Sequence, residues 1–288
     1  MRLVNRLIRK VTGAVVVSLM TVGVAQAADD GCEPAKLATK YPALAGKTIT
    51  IGQDGESPPF SMRDPQDFDR LIGLDADLAR AVFRCVGVPV KFRTGSWSGL
   101  IPATMSGQID LMWDQLLYTD ERAKKMDFVA YMNSATGVLV AKGNPHRLKA
   151  LDGMCGLSAS ANLGTTQETM LRTASAQCVA QNKPAINVIT AADVPGALRL
   201  VQSGRADALV ANSFVADRMA ASNPNTEVAF DVVTGAKLAA GTAKGNADLV
   251  RAIRDGLTVL RRNGTLKQIY DQYHVNYGLA IDPVTLTQ

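Results

Sequence analysis

Apolar and polar residues alternate along TITIGQ at 48–53, the two-residue period of a strand. The loop GESPPF at 55–60 follows, held extended by its two prolines. The period then lengthens. In LDADLARAVFRCVG at 74–87, Leu78, Ala81, Val82 and Cys85 share one face of a helix that Asp75 is positioned to cap and Gly87 to end. VKFR at 90–93 predicts a second strand, WSGLIPATMSG at 97–107 a second helix ending at Gly107, and IDLMW at 109–113 a third strand. ATGVLVAK at 135–142 is a further strand, and CGLSAS at 155–160 opens a second series. There GTTQETMLRTASAQC at 164–178 reads as a turn entering a helix. VPGALRLVQSGRADALVAN at 194–212 reads as helix, glycine turn and buried strand. NADLVRAIRDGLTVLRRNG at 246–264 carries Leu249, Ile253, Leu257 and Leu260 at helical spacing, a stripe assigned to core packing, and TLKQIYDQYHV continues as a shorter helix. Regular alternation of strand and helix predicts an α/β sheet with ligand loops at its strand ends.

Ahead of this pattern stand Arg2, Arg6, Arg9 and Lys10, an apolar run of 14 residues at 11–24, and Ala-Gln-Ala at 25–27. A membrane-spanning helix needs about 20 apolar residues, so residues 1–27 are expected to be a cleavable signal peptide. Cys32 lacks the small-residue context of a lipidated cysteine. The whole chain has 31 Lys and Arg against 26 Asp and Glu, a net +5. All four basic residues of the leader leave with it, so 27 face 26 in the remaining 261 residues. That balance leaves no basic field for nucleic acid or an anionic membrane. At this size two lobes are as compatible as one domain.

Four cysteines in an exported chain predict two disulfides, with three connectivities open. There is no CxxC, and His146 and His274 are isolated, so neither a metal site nor a redox dithiol is expected. Nucleotide-binding glycine loops are missing too, no Ser/His/Asp triad can be assembled, and no cofactor is expected.

The strongest candidate for chemistry is Arg122 in YTDERAKKMDF at 118–128, after the apolar DLMW at 110–113. Its planar fork matches a carboxylate with two parallel hydrogen bonds, which Lys cannot do. Flanked by Asp120 and Glu121, it fits a solvated helix-end salt bridge better from local sequence alone. Gly164-Thr165-Thr166 offers amides and hydroxyls to an anion at a helix N-terminus, or two ordinary capping threonines. Pattern and composition therefore yield an exported, disulfide-bonded α/β protein and no function.

Five marks in order change this: GLDADLARAV, WSGLIPATMSGQIDL, YTDERAKKMDF, GTTQE, and GRADALVAN followed by the C-terminal pair of helices. Together, over about residues 46–275, they resemble the family 3 solute-binding proteins of bacterial ABC transporters, whose commonest ligands are polar amino acids. The resemblance implies the type II periplasmic binding protein fold: two α/β lobes joined by two hinge crossovers, with the ligand in the cleft. Lobe 1 would comprise 28–135 and 236–288, lobe 2 136–235. Pairs Cys32–Cys85 and Cys155–Cys178 would each then lie within one lobe. A monomer would close on its ligand in the periplasm and be recognised by a membrane permease.

Carried onto matching positions, Arg122 takes the ligand α-carboxylate, and Thr166, beside Thr165, supplies donors from the opposite lobe. Phe60 packs against the ligand side chain. Trp97 stands in a position that looks structural, and Trp113 can face either core or cleft. Three departures matter. The family's amine-binding Asp is here Asn212, which provides no counter-charge. Either the ligand lacks a primary amine or another acid replaces it, the candidate being Asp114 at the cleft edge, with Gln115 adding an amide. Leu117 stands where Ser or Thr often helps hold the ligand. Asp54 and Glu56 in the first loop could meet a cation but are expected at the solvent. The resemblance thus implies a binding subunit for an amino acid or related small carboxylate. The alternatives are a periplasmic dehydratase of cyclohexadienyl dehydratase type, with Asp114 or Glu56 as acid, and a soluble ligand-presenting co-receptor.

Overall fold

The computed structural model of the protein describes residues 31–287, so the signal segment expected at 1–27 lies outside the described residues. A short helix α1 (Leu37–Lys40) leads into the mostly buried β1 (Ile49–Gln53). Next come β2 (Glu56–Ser57), β3 (Ser61–Arg63) and β4 (Leu71–Ile72), then α2 (Leu74–Val86), β5 (Val90–Thr94) and α3 (Trp97–Met105). β6 (Leu111–Met112), α4 (Asp120–Ala123) and β7 (Met126–Asn133) complete the first passage. The second series is β8 (Thr136–Ala141), β9 (Ser158–Asn162), α5 (Thr166–Ala180), β10 (Asn187–Ala191), α6 (Val194–Gln202), β11 (Ala208–Asn212), α7 (Ser213–Ser222) and β12 (Thr226–Val232). β13 (Lys237–Ala243), α8 (Ala247–Arg262), α9 (Thr265–Gln272) and β14 (Ala280–Leu286) end the chain.

Two lobes follow from two sheets. One has the order β14-β7-β13-β6-β1-β5, the other β10-β9-β11-β8-β12, while β2–β4 form a small separate sheet. β1 runs parallel to β5 and β6, and β9 to β10 and β11, as strands joined by crossover helices must. The chain crosses between sheets after β7 and again after β12. These crossovers run side by side, the Ser134 amide donating to the Ala236 carbonyl at 2.8 Å.

Strands β7, β12, β13 and β14 fall where periodicity assigned nothing. Seven of the eight β7 residues are buried, so the strand shows a continuous apolar run in place of alternation. β12 and β14 are sheet edges, and β14 tolerates Pro283 because an edge strand need not donate on both sides. The stripe Leu249, Ile253, Leu257 and Leu260 is buried, as expected. Both disulfides form, Cys32–Cys85 beside α2 and Cys155–Cys178 on α5.

Asp75 corrects the sequence reading. It does not cap α2: that helix starts from Gly73, at φ 126°, and no side chain caps it. A Cβ at residue 73 would lie 2.3 Å from the Phe60 carbonyl oxygen, so only glycine lets the loop pack this close. Asp75 consequently lies inside the first turn and is fully buried, accepting hydrogen bonds from Tyr131 Oη and the Gln115 amide, both at 2.5 Å.

Candidate functional site

A pocket with about 430 Å³ of empty space, part of it open to solvent, lies between the two lobes. Trp97, Gln115, Leu117 and Arg122 line it from the first lobe. Asn162, Thr165, Thr166, Gln167, Val194, Asn212 and Val215 line it from the second. The second-lobe wall is built from the carboxyl ends of β9 and β11 and the N-termini of α5, α6 and α7, where an open α/β sheet presents its ligand loops. Each of those helices is capped by a side chain. Thr165 Oγ1 accepts from the Glu168 amide, Asp193 Oδ1 from the Gly196 amide, and Asn212 Oδ1 from the Phe214 amide.

Arg122 follows Thr119, whose hydroxyl accepts the Arg122 amide and caps α4. Its guanidinium donates to the Leu117 carbonyl at 2.7 Å and, across the cleft, to the Gly164 carbonyl at 3.2 Å. Cζ stands 5.3 Å from the centre of the Trp97 ring, whose Nε1 donates to the Asp114 carbonyl. Partial burial lowers the Arg122 pKa to about 10, so the side chain stays protonated at neutral pH. The lobes also touch where Phe60 meets Phe214 edge to face at 5.9 Å.

The amides of the second lobe differ in how they are engaged. Asn212 Nδ2 donates to Ser134 Oγ in the crossover at 2.9 Å, so both ends of this amide are used by the protein. Gln167 links Thr136 and Thr166. Asn162, 4% exposed, has no hydrogen-bond partner on either amide atom.

Behind the first-lobe wall lie three buried carboxyls. Asp54 accepts from the Glu56 amide and the Ser57 hydroxyl, while Asp114 Oδ2 accepts from the Asp54 amide at 2.8 Å. Asp114 Oδ1 has no partner. Burial pushes Asp54 and Asp114 above the usual carboxylate range, and the charge of Asp54 raises Asp114 further. Burial likewise raises Asp75 to about 7.

Residues 49–276 match the family model of the bacterial extracellular solute-binding proteins, family 3. The chain belongs to that family. The L-cystine-binding protein TcyJ of Escherichia coli K12 is 29% identical over 228 residues, 78% of this chain and 82% of that protein. An L-arginine-binding protein of Pseudomonas aeruginosa is 29% identical over 238 residues, covering 80% and 88%. Among solved structures, an ancestral arginine-binding protein bound to arginine superposes with a TM-score of 0.73 at 28% identity, covering 78% of this chain and 97% of that one. The ancestral amino-acid-binding protein AncCDT-1, a precursor of cyclohexadienyl dehydratase, gives 0.67 at 29% identity, covering 83% and 99%.

Of the residues singled out in the sequence of this family 3 protein, Arg122, Thr165, Thr166, Gln115 and Asn212 come together around the cavity. Two do not. Asp114 is wholly buried behind the wall instead of standing at the cleft edge, because its carboxyl turns inward to the Asp54 amide. Phe60 is also fully buried and packs on Phe214. Asp54, expected at the solvent, is 8% exposed, whereas Glu56 is exposed. Trp97 is part of the wall and stacks under Arg122, while Trp113 turns to the core against Tyr131. Asn162 and Gln167 were missed. Only their position flanking Gly-Thr-Thr pointed to them, and an amide in a sequence does not announce whether its partners exist.

Proposed function

We propose that this protein is the periplasmic binding subunit of an ABC transporter, capturing an amino acid or related small carboxylate and delivering it to a membrane permease. The observation that carries this is Arg122, a fixed cation on one wall of the cleft, opposite the capped N-terminus of α5 on the other. One carboxylate there would receive the guanidinium fork from the first lobe, and the first-turn amides of α5 with the Thr166 hydroxyl from the second. The Thr165 hydroxyl is spent on the Asn162 carbonyl and the Glu168 amide. Contacts from both lobes make ligand affinity greatest in the closed form, which is the form a permease would read. Relatives named as amino-acid-binding proteins support this reading. The protein would act as a monomer, exported by the leader at 1–27.

The dehydratase alternative gains from AncCDT-1 and from the raised Asp54 and Asp114 carboxyls. It loses because neither acid lines the cavity, and general acid catalysis needs hydrogen-bond reach to the substrate. The test is a thermal-shift screen of the ligand-stripped protein against amino acids and small organic acids, with product analysis of each hit. A ligand at 100 times its Kd adds about 2.7 kcal/mol. A hit recovered unchanged supports the binding subunit, and turnover of a hit would replace it with the enzyme.

A further inference from the structure

Resting on that reading of the cleft, we infer that its ligand is a small carboxylate without a free ammonium. Its second polar group is a neutral amide or lactam, held by the side chain of Asn162. A zwitterionic amino acid brings its ammonium within a few ångströms of the carboxylate that Arg122 takes. Among the described residues, no carboxylate lines the cavity to meet it. Asn212 is neutral, its oxygen is engaged by the Phe214 amide, and its nitrogen points to Ser134. Asp114 and Asp54 are held behind the wall by each other and by Ser57. Three acids nearby are committed elsewhere: Glu168 to the Gly164 amide and Arg172, Asp193 to the Gly196 amide, and Asp120, in the adjoining groove that shares Leu117 and Thr166, to the Tyr118 hydroxyl. A buried ammonium would thus lose its hydration without a counter-charge. α7, whose first turn holds no acid, presents the positive end of its dipole to the same cavity.

Asn162 supplies the second, independent observation. It lines the cavity, is 4% exposed, and leaves both Nδ2 and Oδ1 without a protein partner. Buried amides are nearly always satisfied, so a donor and an acceptor left open side by side in a cavity wall are matched by a ligand with the complementary pair. A secondary amide or lactam has that pair and no charge. The position also explains the neutral Asn212: a carboxylate there would repel an anionic ligand.

The test is calorimetric titration of the full mature protein with L-pyroglutamate and N-acetylglycine, against L-glutamine and L-arginine. We expect the amide carboxylates to bind at least tenfold more tightly than either amino acid. Asn162→Leu, which keeps the branching at Cγ with larger methyl groups, and Asn162→Ala, which removes the unsatisfied amide without overpacking, should each weaken the amide carboxylates at least tenfold. Asn212→Asp keeps a good helix cap and should reverse the preference toward L-glutamine. Tighter binding of either amino acid by the wild type, lost in Arg122→Ala, overturns the inference and leaves the binding function intact. Unchanged affinity of Asn162→Leu for the amide carboxylates also overturns it. No Arg122-dependent binding from either group overturns both.

Discussion

Arg122 Nη2 donates to the Gly164 carbonyl at 3.2 Å, joining the two walls of the cleft through one guanidinium. Its Nη1 is spent on Leu117, and Trp97 supports the plane. Arg122→Ala should therefore abolish ligand binding, by at least a hundredfold, with little change in Tm. Arg122→Lys should recover only a fraction, since an ammonium cannot serve two carbonyls and a carboxylate in one plane. Titration calorimetry with circular dichroism checks both, and unchanged affinity in a folded Arg122→Ala protein would remove Arg122 from the site.

Asp75 makes stability depend on pH. Its carboxyl is raised by burial from 3.8 to about 7, so between those values the folded chain holds a proton that the unfolded chain has released. Stability is thus greatest below about pH 4 for this group and falls as pH rises through 7. Asp54 and Asp114 act in the same direction. In urea denaturation between pH 4 and 8, Asp75→Asn should flatten the decline by on the order of 4 kcal/mol. Parallel curves for the two proteins would mean that Asp75 titrates normally.

Gly73→Ala should cost roughly 3 kcal/mol or more. The new Cβ would meet the Phe60 carbonyl at 2.3 Å on a backbone at φ 126°. The urea midpoint reads this directly, and a shift as small as that of Gly153→Ala, where a Cβ would meet only Leu148 Cδ2 at an ordinary 3.5 Å, would contradict it.

The disulfides close loops of different length, with sequence separations of 53 and 23. Loop entropy assigns about 4 kcal/mol to Cys32–Cys85 and about 3 kcal/mol to Cys155–Cys178. Replacing each pair by alanine should lower Tm in both cases, and calorimetric scans of the two variants provide the comparison.

What the sequence determined by itself is what short-range periodicity and family spacing carry. The strand at TITIGQ and the buried stripe of Leu249, Ile253, Leu257 and Leu260 both survive in the structure, because a strand or helix face is a local property. Tertiary structure decided the rest. β7 is buried on both faces, which erases the alternation that would have betrayed it. Asp75 reads as a cap until Gly73 moves the helix start and Tyr131, 56 residues away, takes its carboxyl. Asp114 stands four residues before Tyr118 and looks like a cleft residue, but whether its carboxyl turns to the ligand or to the Asp54 amide depends on a partner 60 residues distant. The same holds for Asn162. Its identity is local, while the lack of partners that marks it out is a property of everything packed around it.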